Sequence, residues 1–183
     1  MDNQVPSETE LLELARQFDQ QALAHIYDTY SPGLYRYSMR RLSDQAVAED
    51  CVAETFSRFL QAIKARRGPE NFLQAFLYRI AHNWIIDHYR RGPMQPQELT
   101  EEHPDENADP EKDVGRHLQQ ESLRLAIKKL TPDQQQVIAL KYLEGWENES
   151  IARSIKKPVG AVKSLQHRAL ASLEKILDRE EVL

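Results

Sequence analysis

The amino-acid sequence predicts an all-α chain of two helical domains joined by a flexible acidic linker. Apolar side chains recur at helical spacing in both halves, and capping residues precede them. No alternating apolar–polar run of strand length interrupts either half. Between residues 92 and 117 the periodicity stops, leaving four prolines, eight acids and almost no large apolar side chains. Such a stretch cannot bury enough surface to offset the entropy of ordering it. Domains are therefore expected at residues 1–91 and 118–183, with 92–117 as the linker.

In the first block, Ser7 followed by Glu10 forms a capping box ahead of Leu11, Leu12, Leu14 and Ala15. A second helix is expected over residues 19–30. Ser31-Pro32 then supplies a cap and a first-turn proline for a third, carrying Leu34, Tyr35, Tyr37, Ser38 and Leu42. Ser43 or Asp44 caps a fourth, with Val47, Cys51, Thr55, Phe59 and Ile63 on one stripe. The run from Arg66 to Glu70 breaks the pattern, and Asn71 caps a long helix ending near Arg91.

The second block resumes near Leu118 with Leu123, Ile127 and Leu130. Thr131-Pro132 opens another helix, which Gly145 stops. Asn148 caps a short helix with Ile151, Ala152 and Ile155, and Pro158 starts a last one bearing Val159, Val162, Leu165, Leu170 and Leu173.

Apolar runs are far too short to cross a membrane, and Met1 is followed by acidic and polar residues rather than a signal peptide. The single cysteine, Cys51, has no internal disulfide partner and reads as a small packed side chain, so a cytoplasmic location is expected. Neither a phosphate-binding glycine loop nor a zinc-ligand spacing occurs, so no enzyme, cofactor or metal is expected.

Net charge is −5, but Lys/Arg against Asp/Glu count 11 to 12 in residues 1–91, 2 to 8 in 92–117 and 11 to 9 in 118–183. Acidity is concentrated in the middle. Screening over about 8 Å makes local charge the relevant quantity for a phosphate backbone, so DNA binding stays open.

A short helix, a tight turn and a longer basic helix is a helix-turn-helix layout. If Ile151, Ala152 and Ile155 pack on Val159, Val162 and Leu165, the opposite face offers Lys163, Ser164, His167 and Arg168. These suit phosphates and base edges, although a plain surface helix also carries such residues. The run from Leu130-Thr-Pro through Glu144-Gly-Trp to Pro158-Val-Gly-Ala-Val-Lys-Ser resembles the fourth conserved region of sigma factors, and its last part is typical of the extracytoplasmic-function group. The resemblance implies that Lys163, Ser164, His167 and Arg168 face the minus-thirty-five promoter element. A basic residue is common in the family where Leu165 stands, and a threonine where Ala161 stands. Alone, this block also resembles the output domain of response regulators.

The first block lacks the apolar strands of a receiver. Its stretches Tyr27-Asp-Thr-Tyr-Ser-Pro, Ala48-Glu-Asp-Cys-Val-Ala-Glu-Thr-Phe and Phe76-Leu-Tyr-Arg-Ile-Ala-His-Asn-Trp-Ile-Ile-Asp-His-Tyr-Arg-Arg resemble the second conserved region of sigma factors. Asp50 and Glu54 lie four apart on one helix face beside Glu49, which suits either a basic partner or a solvated face. By resemblance, Glu49, Asp50, Glu54 and Thr55 dock on RNA polymerase core. On the long helix, core packing accounts for most of Phe76, Ile80 and Trp84, and the polar side is assigned to Tyr78, Arg79, His82, Asn83, Arg90 and Arg91. The resemblance implies that this helix and the loop at 66–71, with Asn71, read the minus-ten element and hold a flipped base. Asp87 matches the family too, and a salt bridge to Arg90 or Arg91 accounts for it equally well.

The whole resembles an extracytoplasmic-function sigma factor. That implies a non-enzymatic initiation factor whose partners are RNA polymerase core (the largest-subunit clamp, and the flap), promoter DNA and an anti-sigma factor, without membrane insertion. The linker would enter the polymerase's active-site cleft and RNA exit path. A stand-alone helix-turn-helix regulator, with a dimerising first block, and a purely protein-binding regulator are the alternatives.

Overall fold

The computed structural model describes residues 6–91 and 122–180, and every regular element among them is helical. The chain divides into two compact units, residues 1–98 and 99–183. The expected linker, and Leu118, lie outside the described residues.

Unit 1 holds α1 (Glu8–Arg16), α2 (Gln20–Leu42), α3 (Gln45–Lys64) and α4 (Leu73–Arg91). The Ser7–Glu10 capping box opens α1 as expected. Asp19 caps α2, its carboxylate accepting from the Ala22 amide at 2.9 Å. The expected break at Ser31-Pro32 does not occur, because α2 runs unbroken through Pro32. An interior proline costs about 3 kcal/mol through its missing N–H and its ring. Ile26, Leu34 and Tyr37 are nevertheless buried along one continuous face. Each is worth about 1.5–3 kcal/mol, which outweighs the proline. Of the two caps considered for α3, Asp44 serves, bonding the Val47 amide, while Ser43 takes the left-handed position that ends α2 (φ 60°). Asn71 is not the first residue before α4: Phe72 (φ 54°) intervenes, and the Glu8 carboxylate takes its amide at 2.6 Å.

Leu11 and Leu12, Ile26 and Leu34, Cys51 and Phe59, and Leu73, Leu77 and Ile85 form the core of unit 1, with contributions from all four helices.

The described part of unit 2 holds α5 (described over 122–128), then α6 (Pro132–Ile138), a π turn (Ala139–Leu143), α7 (Asn148–Ile155) and α8 (Val159–Glu180). Thr131 and Gln134 form the capping box of α6. The π turn ends before Gly145, whose φ of +70° is a conformation glycine adopts without strain. Glu147, not Asn148, is the N-cap of α7, and Asn148 instead accepts a 2.7 Å bond from Gln166 on α8. Within α5, Ala126 is buried while Leu123 is exposed. Ala126, Leu130, Ile138, Ala169 and Leu173 pack as one cluster.

Candidate nucleic-acid and polymerase interfaces

Helix α3 turns Cys51, Thr55, Phe59 and Ile63 inward, which leaves Glu49 and Asp50 exposed on the opposite side. Gln45 donates to the Glu49 carboxylate at 2.9 Å. Glu54 is half-buried and paired with Arg58 one turn later at 2.7 Å, which offsets its repulsion with Asp50. Thr55 is a correction: its side chain is fully buried, and the hydroxyl donates to the Cys51 carbonyl at 2.7 Å. It sits inside the bundle, leaving Glu49 and Asp50 as the presented acids. The Cys51 thiol is buried as well, and burial pushes its pKa up to about 11, so it is not a reactive thiolate.

On α4 the expected polar side divides. Asn83, Arg90 and Arg91 are exposed, and Arg79 is half-buried with its guanidinium 5.2 Å from the Phe76 ring centroid. Tyr78 and His82 are corrections: they are 2% and 4% exposed. The reason is register, because Leu77, Tyr78, Ala81, His82 and Ile85 share one face of a 3.6-residue helix. The Tyr78 ring packs on Tyr37 at 5.2 Å. The His82 Nδ1 meets the Tyr37 hydroxyl at 3.2 Å and the Arg41 guanidinium at 3.3 Å. Burial, with the Arg41 charge second, lowers the His82 pKa to about 3, so the ring is neutral.

Phe76, Ile80 and Trp84, most of which were expected in the core, are all only half-buried. The Trp84 ring stacks on His88 at 5.2 Å. Together with Arg58, Asp87 and Arg91 they line an open depression of about 290 Å³. No salt bridge joins Asp87 to Arg90 or Arg91 among the described residues, so that account of Asp87 is withdrawn. The Tyr89 hydroxyl donates to the Arg41 carbonyl, holding the last turn of α4 to the end of α2.

Between α3 and α4, the loop 65–72 presents Arg66, Arg67, Glu70, Asn71 and Phe72 to solvent. The amides of Arg66 and Arg67 bond back to the carbonyls of Ile63 and Ala62, anchoring its start.

In unit 2, Val162, Leu165, Ala169 and Leu173 of α8 are buried, and Lys163, Ser164, His167 and Arg168 are exposed on the other side. The Ser164 hydroxyl donates to the Gly160 carbonyl at 3.0 Å, and Arg168 Nε to the Ser164 carbonyl at 3.3 Å. Leu165 belongs to the helix-pair interior, so at this position the side chain packs rather than reaching outward.

Residues 26–92 match the Sigma-70 region 2 family and residues 120–173 match Sigma-70, region 4. The chain is 30% identical over 152 residues to the ECF RNA polymerase sigma factor SigL of Mycobacterium tuberculosis, covering 81% of this chain and 84% of that one. The chain belongs to the ECF group of the sigma-70 family. It is 34% identical over 171 residues to the ECF sigma factor BldN of Streptomyces coelicolor, covering 92% of this chain but 65% of BldN's length. The solved structure of CnrH in complex with the cytosolic domain of CnrY shares its fold, with a TM-score of 0.70 at 21% identity, over 94% of this chain and 97% of that one. The sigma factor RpoE of Bartonella quintana, solved with the anti-sigma factor NepR, gives 0.60 at 22% identity, over 89% and 98%. As an ECF sigma factor the protein is a promoter-recognising transcription initiation factor that works with RNA polymerase, and not an enzyme. None of its described helices is long and apolar enough to cross a membrane.

Proposed function

We propose that this sigma factor engages polymerase and promoter through three separate faces. Glu49 and Asp50, with Glu54 beside them, dock on a basic surface of the polymerase clamp. Asn83, Arg90 and Arg91 of α4, with Arg79 and the loop carrying Asn71, contact the minus-ten element as its strands separate. Lys163, Ser164, His167 and Arg168 of α8 contact the minus-thirty-five element. Residues 1–91 and 118–183 act as the two reading domains, and 92–117 as a linker through the polymerase. One observation carries the reading: a single chain holds region 2 with an acid face on α3 and region 4 with a basic, solvent-facing side of α8. Tyr78 and His82 support the α4 face from beneath, as core, and Thr55 supports α3 in the same way.

A cytoplasmic location is part of the proposal, supported by the chain's membership of a family that works with RNA polymerase. An anti-sigma partner is part of the proposal, supported by the related fold of RpoE, which was solved with the anti-sigma factor NepR. Run-off transcription with purified core polymerase on genomic promoter fragments tests the reading. Specific starts that depend on the added protein are expected. Retardation of palindromic duplex DNA by a dimer, without any start from core, would replace it with a stand-alone regulator.

A further inference from the structure

The loop 65–72 is held from a helix that lies ahead of the matched region 2, which begins at residue 26. Helix α1 spans Glu8–Arg16, and its two end residues both reach this loop. The Glu8 carboxylate accepts the Phe72 amide at 2.6 Å, and Arg16 donates to the Pro69 carbonyl at 3.0 Å. At about 1.5 Å of rise per residue, the ends of α1 are about 12 Å apart, so the helix lies along the loop rather than touching one point.

The loop's backbone needs such support. Arg66 (φ 55°) and Phe72 (φ 54°) both take the left-handed conformation that residues with a Cβ adopt reluctantly. Arg66 is secured locally, by bonds to the end of α3. Phe72 is secured by Glu8, 64 residues away in sequence. That bond reproduces the half of a capping box in which a carboxylate reaches back to the amide just ahead of a helix, and it sets a negative charge at the positive end of α4. With Pro69 and Phe72 fixed, Glu70 and Asn71 between them are presented to solvent in one geometry.

We infer that α1 is the positioning element of the promoter-reading loop, with Glu8 and Arg16 as its positioning residues. This rests on the reading above, that the loop contacts the minus-ten element. Neither side chain enters the core, which α1 joins through Leu11, Leu12 and Ala15, so both can be changed without unpacking the bundle.

The test is a barcoded promoter library with randomised upstream elements, transcribed by core polymerase with full-length protein. Wild type is compared with Glu8→Ala/Arg16→Ala, Glu8→Gln/Arg16→Lys and Asn71→Ala. The alanine pair should bind core as wild type does, show faster exchange of the Phe72 amide, and lose about tenfold of the discrimination at minus-ten positions, the worth of roughly one mismatched base. The conservative pair keeps an acceptor and a donor and should restore most of it. Discrimination intact in the alanine pair but lost in Asn71→Ala would overturn the inference alone. A conservative pair as defective as the alanine pair would overturn it too. Full discrimination in Asn71→Ala would overturn the reading of the loop, and the inference with it.

Discussion

Gly33 is a packing requirement. A Cβ there would stand 2.6 Å from the Tyr78 hydroxyl oxygen. That ring is wedged against Tyr37 and is 2% exposed, so it has little room to retreat. Gly33→Ala should therefore lower stability by about 1–3 kcal/mol, although alanine is otherwise the better helix former. Urea unfolding checks this, and a more stable variant would show that Tyr78 moves aside. His82 makes a different prediction. Its pKa is about 3 in the fold against an ordinary 6.5, so the unfolded chain binds a proton that the folded chain refuses. The stability it contributes is complete above pH 6.5 and is lost as pH falls towards 3, at no more than about 1.4 kcal/mol per pH unit. His82→Gln should flatten that part of the stability–pH curve. The burial of Tyr78 and His82 was half-legible in the sequence. Their spacing with Leu77 and Ile85 marks a core face, but their polar tips suggest a wet one, and the partners Tyr37 and Arg41 lie more than forty residues earlier.

At the scale of the helix, the proposed DNA face of α8 and the proposed docking face of α3 ask different things of charge. The outward side of α8 carries Lys163 and Arg168. Replacing both with alanine should weaken promoter duplex binding and lower the slope of log affinity against log salt by about 2, one counterion per lost phosphate contact. An unchanged slope would place these cations away from the backbone. On α3, Asp50→Lys puts a cation where a basic partner surface is expected and should weaken core binding at least about tenfold, through like-charge repulsion. Competition for labelled core measures this, and unchanged affinity would remove α3's acid face from the interface. Caps such as Ser7, Asp44 and Thr131 were readable because the cap and the amide it bonds are neighbours in sequence. Continuity of α2 through Pro32 was not, since the decision belongs to burial against α3 and α4, which no local pattern contains. The start of α4 was missed for a similar reason: its neighbour in space is Glu8.

For the whole molecule, a net charge of −5 is a poor guide to what the chain binds, because acidic and basic faces are assigned to different surfaces. Both blocks and their helical character were legible, since each repeats its apolar period many times and one misjudged cap hardly changes the total. Each unit has a core of its own, Leu12, Leu34, Phe59 and Leu77 in one and the Ala126–Leu173 cluster in the other. This has a consequence in genetics. A lesion such as Val162→Asp, at a position with no exposed surface, should wreck unit 2 and leave unit 1 folded. Such a chain would still occupy polymerase through α3 while reading no minus-thirty-five element. Expressed beside the normal copy it should act as a dominant inhibitor of the regulon, whereas the same charge placed at Leu34 should give a recessive, silent allele.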